Sequence, residues 1–214
     1  MNYKKQRKDL IDKLVKRRYI KSDLAEKAMR KVPRHLFVPE EMKDMAYVDS
    51  PQPIGQGQTI SAPHMVAIMI EALDVEPGQK ILEIGGGMGY HAAVLGEMVG
   101  KEGKVYSVEY LEYLAESGKK KLKKAGIKNV QIIIGDGSSG YKENAPYDRI
   151  SVACGAPNIP QPLIKQLKEK GKILIPVGGQ MYQNLIKATK EGNSIKKENL
   201  GGVLFVPLKG KYGF

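Results

Sequence analysis

A short stretch near the middle of the chain has the residue types of a ligand-binding turn. An apolar run at 81–84 is followed by glycines, and residues 91–99 then place apolar side chains at helical spacing. A buried strand, a glycine turn and a helix in this order bring backbone N–H groups and a helix N-terminus beside a ligand. Glu83 lies two residues before the first glycine. The stretch therefore predicts a binding site in which an acid and an accessible backbone act together.

The glycine spacing separates two classes of ligand. A dinucleotide fingerprint, G-x-G-x-x-G, needs its third glycine where this chain has Tyr90. The motif found instead is E-x-G-x-G-x-G, and its fixed residues are Glu83, Gly85, Gly87 and Gly89. It resembles the first motif of class I S-adenosylmethionine-dependent methyltransferases, whose cofactor has no pyrophosphate and carries an ammonium group that an acid can meet. A tight strand-to-helix turn without a ligand is the alternative interpretation.

Two further acids follow predicted strands. Glu109 ends the apolar run 104–109, and it follows Gly85 at close to the distance, about 20 residues, at which a dinucleotide-binding fold places its ribose-binding acid. A carboxylate there can accept protons from both ribose hydroxyls. Asp136-Gly137 closes the run 130–134, where a carboxylate or a backbone group could bind the adenine edge; an ordinary Asp-Gly turn is the alternative.

The stretch 46–64 is rich in proline and glycine, and we predict a long loop without secondary structure of its own. Loops of this kind are often functional. Its polar residues precede a helix that Pro63 opens, and they are Gln58, Thr59, Ser61 and His64. Ser61 could be a helix N-cap, or the loop could cover a methyl donor while its hydroxyls orient an acceptor. No G-x-S-x-G elbow surrounds Ser61, so we do not interpret it as an activated nucleophile.

Two other residues are interpreted as structural. Cys154, at the end of a predicted strand, has the character of a small core residue. His91, on the helix after the glycines, is predicted to lie on the helix surface rather than to bind a ligand.

The elements that must carry these residues alternate regularly. Helices are predicted at 4–18, from Ser22-Asp23 to Pro33, from Pro63, and at 91–99, 111–125 and 162–170. Strands are predicted at 81–84, 104–109, 130–134, 147–153 and 171–177, with a C-terminal β-hairpin at 184–188 and 202–206. The predicted fold is α/β: a Rossmann-like, doubly wound, mostly parallel seven-stranded sheet with helices on both faces and an N-terminal helical and loop cap. Residues 1–77 would form the cap and 78–214 the cofactor-binding core, together one compact unit.

Composition narrows the functional classes. The 214 residues carry 35 Lys and Arg against 23 Asp and Glu, a net charge of +12. Nucleic-acid binding is compatible with this charge, but the basic runs lie on predicted solvated helix faces and are not interleaved with aromatic residues. One cysteine allows no internal disulfide, and three scattered histidines suggest no metal site. No signal core or membrane-length apolar run is present. We therefore expect a soluble cytoplasmic protein without metal, nucleic-acid or membrane partners. A monomer is the expected working state, although composition does not determine the oligomeric state.

Several segments together resemble the protein-L-isoaspartate O-methyltransferase family over almost the whole chain. The resemblance is carried by residues 34–39, 53–65, 81–90, 135–137, 145–148, 159–160 and 201–208. The run G-Q-T-I-S-A-P-H-M at 57–65 is far more specific than the glycine motif. The resemblance implies an enzyme that methylates the free α-carboxylate of L-isoaspartyl residues in aged proteins and peptides. It converts S-adenosyl-L-methionine to S-adenosyl-L-homocysteine, and the methyl ester collapses to a succinimide that reopens partly to aspartate.

The resemblance also implies roles for individual positions. Ser61 matches the family's catalytic serine. The implied cofactor contacts are Gln58, Thr59, Ile60, His64, Glu83, Gly85, Gly87, Gly89, Glu109, Asp136 and Gly137, and the implied substrate contacts are Ile54, Gly55, Ser61 and Val203.

The chain departs from the family pattern at Gly86, where a small hydroxyl residue is usual, and at Met88. The lost hydrogen bond, worth about 1 kcal/mol, predicts weaker cofactor binding. A nucleic-acid methyltransferase of the same fold and a cofactor-binding module with impaired turnover are the alternatives.

Overall fold

The structure is a computed structural model that describes residues 2–192 and 194–214. Its α-helices are α1 (Tyr3–Lys16), α2 (Asp23–Lys31), α3 (Pro63–Ala72), α4 (Tyr90–Val99), α5 (Glu112–Lys124) and α6 (Gln161–Lys165). Its strands are β1 (Gln52–Gly55), β2 (Gln58–Ile60), β3 (Lys80–Ile84), β4 (Lys104–Glu109), β5 (Val130–Ile134), β6 (Tyr147–Val152), β7 (Leu167–Gly178), β8 (Gln183–Glu191) and β9 (Ser194–Val203). In this part of the chain, no helix has both the length and the apolar character needed to cross a membrane.

The larger sheet contains seven of the described strands in the order β5-β4-β3-β6-β7-β8-β9. Pairing is parallel from β5 to β7 and antiparallel between β7, β8 and β9. The chain first builds outward from β3 to β4 and β5, and then returns to the other side of β3 with β6. In an open parallel sheet, such a reversal opens a crevice at the carboxyl ends of the strands. The predicted fold class is therefore confirmed, and the site belongs beside the ends of β3, β4 and β6.

Helices cover both faces of this sheet because alternate strand residues point to opposite sides. Ile81 and Val105 pack into a core with buried residues of α1 to α5. Leu82, Ile84 and Val108 pack into a second core, to which α6 contributes Leu163. The central strands are thus buried on both faces, which is why their sequences are apolar runs.

Two elements of the second half differ from the prediction. The helix predicted at 162–170 ends at Lys165, and β7 begins at Leu167, which pairs with Tyr147. The register then shifts before Lys172 pairs with Arg149, so the exposed residues between them form a strand irregularity and not a helix. The last strand occupies Ser194–Val203, not 202–206. It is a polar, charged edge strand, which apolar patterning does not detect.

The stretch 46–64 also contains structure that the sequence did not suggest. Residues Gln52–Gly55 and Gln58–Ile60 pair as an antiparallel hairpin. Its turn places Gln56 and Gly57 at φ of 55° and 69°. Glutamine is uncommon in this region of φ, and this hid the turn from sequence reasoning. Pro53 is compatible with the pairing because both strands of a two-stranded sheet are edges. The predicted structureless loop is therefore wrong: the segment is a hairpin leading into α3.

Candidate functional site

A cleft lies at the carboxyl ends of β3, β4 and β6, where the sheet topology places it. It contains about 900 Å³ of space, part of it open to solvent. Its principal polar and backbone lining comes from Gln58, Thr59, Ser61, Gly85, Gly86, Gly87, His91, Glu109, Gly137, Cys154 and Lys209. Residues from the hairpin, the glycine turn and the strand ends therefore face one space.

The glycine turn forms one wall of the cleft. Gly85, Gly86 and Gly87 line it, and Gly87 has a φ of 54°. A Cβ built at Gly87 would lie 3.2 Å from Ile54 Cδ1 of β1, so the hairpin closes over the turn at this point. Gly89 is instead the N-cap of α4 and faces the core beside Leu122. Of the three motif glycines, Gly85 and Gly87 therefore face the cleft and Gly89 does not.

Glu109 anchors the turn from the end of β4. Its side chain lines the cleft but is only 6% exposed. Oε2 accepts a hydrogen bond from the N–H of Gly87 at 2.7 Å, and Oε1 accepts one from the N–H of Leu111 at 2.9 Å. Burial raises the pKa of Glu109, these backbone donors oppose the shift, and the neighbouring Glu83 adds to it. The carboxylate keeps lone pairs for a ligand's hydroxyl groups.

The sequence suggested that Glu83 faces the cleft, but its side chain does not line it. Its side chain is fully buried and accepts a hydrogen bond from the Ser107 hydroxyl of β4. His91 Nδ1 lies 3.1 Å from Glu83 Oε1. The structure therefore does not support direct contact between Glu83 and a ligand's ammonium group. The Glu83 side chain instead lies behind the glycine turn.

His91 was predicted to lie on the helix surface, and this prediction is wrong. Its side chain is 10% exposed and lines the cleft beside the glycine turn. Its Nε2 is buried and, within the described part of the chain, has no hydrogen-bond partner. The residue occupies the first turn of α4, directly after Tyr90. Its position two residues after the last motif glycine was the available signal.

Ser61 lies where the hairpin leads into α3, and it lines the cleft. The N-cap of α3 is Ala62, and the helix has no side-chain cap hydrogen bond. The interpretation of Ser61 as a plain N-cap is therefore wrong. Gln58, Thr59 and Ile60 line the same side of the cleft. The hairpin thus presents consecutive side chains to the glycine turn.

Arg34 fixes this hairpin, although sequence reasoning gave it no role. Its side chain is completely buried. Nε donates to the carbonyl of Ala46 and Nη2 to the carbonyl of Ser61, both at 2.8 Å. The guanidinium also stacks over the ring of Tyr90 at 4.9 Å. Burial lowers the pKa of Arg34 to about 10, which leaves it charged at neutral pH. One side chain therefore joins both ends of the stretch 46–61 to the first residue of α4.

Three further residues implied by the resemblance, His64, Gly55 and Val203, do not line the cleft. His64 turns to Asp49, whose Oδ1 accepts from its backbone N–H and faces its Nδ1, both at 2.9 Å. Gly55 is exposed at the hairpin turn, and Val203 ends β9. At the C-terminal side the cleft is lined instead by Val206, Pro207, Leu208 and Lys209.

The Asp136-Gly137 pair divides between two roles. Asp136 accepts hydrogen bonds from the N–H groups of Ser138 and Lys211, each at 2.9 Å. Burial raises its pKa, but these donors outweigh it and hold the pKa below the usual range. Gly137 lines the cleft. A backbone group, not the carboxylate, is thus what this turn offers to a ligand.

Cys154 forms part of the cleft wall beside Gly85. Burial, with the nearby Glu109 and Glu83, raises the pKa of its thiol to about 12. The thiol is therefore protonated at neutral pH and is not an activated nucleophile. Within residues 2–192 and 194–214, no group of three or more His, Cys, Asp and Glu side chains is arranged to hold a metal ion.

Comparison with known proteins agrees with this geometry. The model of the protein-L-isoaspartate(D-aspartate) O-methyltransferase family matches residues 5–213. Protein-L-isoaspartate O-methyltransferase 2 of Archaeoglobus fulgidus is 54% identical over 214 residues, covering 100% of this chain and 97% of its own. The Methanothrix thermoacetophila protein-L-isoaspartate O-methyltransferase is 56% identical, covering 92% and 93%. A Plasmodium falciparum protein-L-isoaspartate O-methyltransferase, solved with S-adenosyl-L-homocysteine, superimposes with a TM-score of 0.83 at 30% identity, covering 95% and 98%. The chain belongs to the protein-L-isoaspartate(D-aspartate) O-methyltransferase family.

Proposed function

We propose that this chain transfers a methyl group from S-adenosyl-L-methionine to the free α-carboxylate of L-isoaspartyl residues in damaged proteins and peptides. The observation that carries the proposal is the closure of the hairpin over the glycine turn. Ser61 lines the same cleft as Gly85, Gly87 and Glu109, and Ile54 packs against Gly87. A methyl donor on the turn and an acceptor beside Ser61 would therefore share one enclosed space.

The residues of the cleft fit S-adenosyl-L-methionine. Gly85 to Gly87 present bare backbone, so a ligand can approach closely. Glu109 offers a buried carboxylate that suits the ribose hydroxyls, and Gly137 offers a backbone group for the adenine edge. His91 Nε2 is a buried polar atom without a partner in the described chain, beside the turn. The bound cofactor would supply an electrophilic methyl group on a sulfonium.

The acceptor chemistry needs little from the protein beyond positioning. A carboxyl group with an unperturbed pKa of about 3.5–4 is ionised near neutral pH, so no general base is required. Attack on the methyl group consumes one negative and one positive charge. A cation held against the acceptor would stabilise the attacking carboxylate and raise the barrier. Alignment and exclusion of water are therefore the useful contributions.

The Ser61 side chain is suited to orienting the acceptor carboxylate. A neutral hydroxyl can donate a hydrogen bond to one carboxylate oxygen without neutralising its charge. Its backbone is fixed through the contact between Arg34 and the Ser61 carbonyl. Ile54 and residues 206–209 border the cleft on the acceptor side, where they would exclude water and hold the isoaspartyl backbone. We assign Thr59, Gln58 and Ile60 to the cofactor side of the same hairpin.

The same proposal covers the organisation of the chain. Residues 1–77 would act as the cap that carries the acceptor-aiming hairpin, and 78–214 as the cofactor-binding core. The cleft, the glycine turn and the hairpin are all supplied by one chain, so we take the monomer as the working unit.

The proposal is tested with paired peptides that differ only in containing isoaspartate or aspartate at one position. Labelled methyl from S-adenosyl-L-methionine should enter the isoaspartyl peptide, and the label should be lost again as the ester forms the succinimide. The aspartyl peptide, which has no free α-carboxylate at that position, is the control. Equal labelling of the two peptides, or labelling of neither, would contradict the assignment.

A further inference from the structure

Gly86 and Ser107 compete for one volume behind the glycine turn. A Cβ built at Gly86 would overlap the Ser107 hydroxyl and would lie 3.1 Å from Glu83 Oε2 and 3.4 Å from Ser107 Cβ. The first contact is an overlap that a side chain at 86 could relieve by turning the Ser107 hydroxyl away from Glu83, the second is a tight contact, and the last is ordinary packing. The Ser107 hydroxyl is therefore the main obstacle to a side chain at position 86. Without that hydroxyl, a small residue at 86 would fit once Glu83 Oε2 moved by a few tenths of an ångström.

The hydroxyl that fills this volume has a clear partner. Glu83 and Ser107 are register partners on adjacent strands, and the Ser107 hydroxyl donates to Glu83 Oε2. Both side chains are completely buried. A buried carboxylate that loses a hydrogen-bond donor is strongly destabilised. The position next to Gly86 therefore needs one hydroxyl, and β4 provides it.

We propose that Ser107 is a positioning residue for the cofactor turn: its hydroxyl replaces a side chain at position 86 and holds Glu83, so positions 86 and 107 together carry one hydroxyl. A serine at 86 would place its own hydroxyl within reach of the same Glu83 oxygen. The inference rests on the proposed function for the identity of the ligand, S-adenosyl-L-methionine or its product. Ser107 would act through the backbone of residues 85–87, not by touching the ligand.

The structure gives Gly86 a different role from the one that the sequence suggested. From the sequence, the missing hydroxyl at 86 predicted weaker cofactor binding. In the structure the Ser107 hydroxyl of the neighbouring strand occupies the volume beside Gly86 and donates to Glu83. Gly86 is therefore the residue that leaves room for the contact between Ser107 and Glu83, in addition to lacking a hydroxyl of its own.

The test is a double-mutant cycle on the full chain, with S-adenosyl-L-homocysteine binding measured by calorimetry. Ser107→Ala should raise its Kd about 10-fold, and Gly86→Ser about 100-fold because its side chain collides with Ser107. The combined variant Gly86→Ser/Ser107→Ala should return to within about threefold of the parent. The KM for S-adenosyl-L-methionine should follow the Kd, whereas kcat at saturating cofactor should stay near the parent value.

Ser151→Ala is the matched control. Ser151 pairs in register with Glu83 from the other neighbouring strand and is also completely buried, but its hydroxyl has no partner in the described residues. The Kd of this variant for S-adenosyl-L-homocysteine should stay unchanged.

The comparison of Ser107→Ala with the combined variant decides the matter even where Gly86→Ser alone fails to fold. Tighter binding in the combined variant than in Ser107→Ala supports the proposal that one hydroxyl is shared between positions 86 and 107. Equal or weaker binding there, or a Ser107→Ala Kd equal to that of Ser151→Ala, would overturn it. Absence of S-adenosyl-L-homocysteine binding by the parent would instead contradict the proposed function.

Discussion

The glycine turn and the hairpin face one another across the cleft, yet they are held in different ways. The turn is held from the main sheet: the N–H of Gly85 donates to Val108 at 2.8 Å, and that of Gly87 donates to Glu109. The hairpin belongs to a separate two-stranded sheet and is fixed by side chains, chiefly Arg34. The glycine turn and Glu109, on the cofactor side, are thus built into the core, whereas the hairpin, which carries Ser61 on the acceptor side, is attached to it. Damage to one side should be separable from damage to the other.

Arg34→Met should have the largest effect and should impair the acceptor side more than the cofactor side. It leaves the carbonyls of Ala46 and Ser61 without their donors and removes the stacking on Tyr90. We expect the free energy of unfolding to fall by about 2–4 kcal/mol, since each buried carbonyl left unpaired costs about 1–3 kcal/mol and loss of the buried charge offsets part of this. In the folded variant, the KM for an isoaspartyl peptide should rise more than the Kd for S-adenosyl-L-homocysteine. Chemical denaturation and steady-state kinetics measure the two effects.

Arg149→Met is the control for this substitution. Arg149 is also buried, and its Nε donates to the carbonyls of Leu73 and Asp74, each at 2.9 Å, away from the hairpin. Its replacement should destabilise the chain by a comparable amount and leave the peptide KM unchanged. If both variants change the peptide KM equally, the effect of Arg34 is general loss of stability and not placement of the hairpin.

Glu109→Gln should damage the cofactor side instead. A glutamine keeps one acceptor oxygen where the carboxylate has two, so the Kd for S-adenosyl-L-homocysteine should rise about 10- to 30-fold, or about 1.5–2 kcal/mol. The peptide KM at saturating cofactor should change little.

The same substitution should alter the pH dependence of binding. Because the pKa of Glu109 is raised, its ionised form is lost at a higher pH than that of an exposed glutamate. Binding to the parent should therefore weaken as the pH falls through this raised pKa, and Glu109→Gln should flatten that part of the curve. A parallel decline in the two proteins, measured by calorimetry across the acidic range, would mean that another group controls it.

Asp49→Ala tests a weaker attachment of the hairpin. Asp49 accepts from the backbone N–H of His64 in the first turn of α3. Loss of such a helix-terminal acceptor typically costs about 1 kcal/mol, so the thermal midpoint should fall modestly and the peptide KM should rise slightly. Asp44→Ala, in the short 3-10 helix Glu40–Met45 that precedes the hairpin, serves as a nearby acidic control. An effect as large as that of Arg34→Met would mean that Asp49, and not Arg34, is the main attachment.

The two sides also differ in how far the sequence predicted them. Strands β3 to β6 were predicted closely because burial on both faces produces apolar runs, and Glu109 was found because it ends one of them. The hairpin was missed because its turn uses Gln56 at positive φ. Strand β9 was missed because its edge is exposed and charged. Local patterns detect long buried runs, whereas β9 is exposed and the two hairpin strands span only residues Gln52–Gly55 and Gln58–Ile60.

The side chains that hold the site were predicted less well than its backbone. Arg34 acts on a carbonyl 27 positions away, so no local pattern marks it. Ser107 became meaningful only when the parallel register set it beside Glu83. For His91, the missing information was that the first turn of α4 faces Glu83. Contacts between distant segments depend on the packing, which spacing along the chain does not encode.

Ser61→Ala tests most directly whether the acceptor side aims the substrate independently of the cofactor side. The change removes one hydroxyl, whose net hydrogen bond is worth about 1 kcal/mol, so kcat for an isoaspartyl peptide should fall about fivefold or more. The Kd for S-adenosyl-L-homocysteine and the thermal midpoint should stay within error of the parent. Thr59→Val, on the same hairpin, should raise the Kd for S-adenosyl-L-homocysteine more than it lowers kcat. We predict lost turnover with intact cofactor binding for Ser61→Ala; unchanged turnover, or a parallel loss of cofactor binding, would contradict this account.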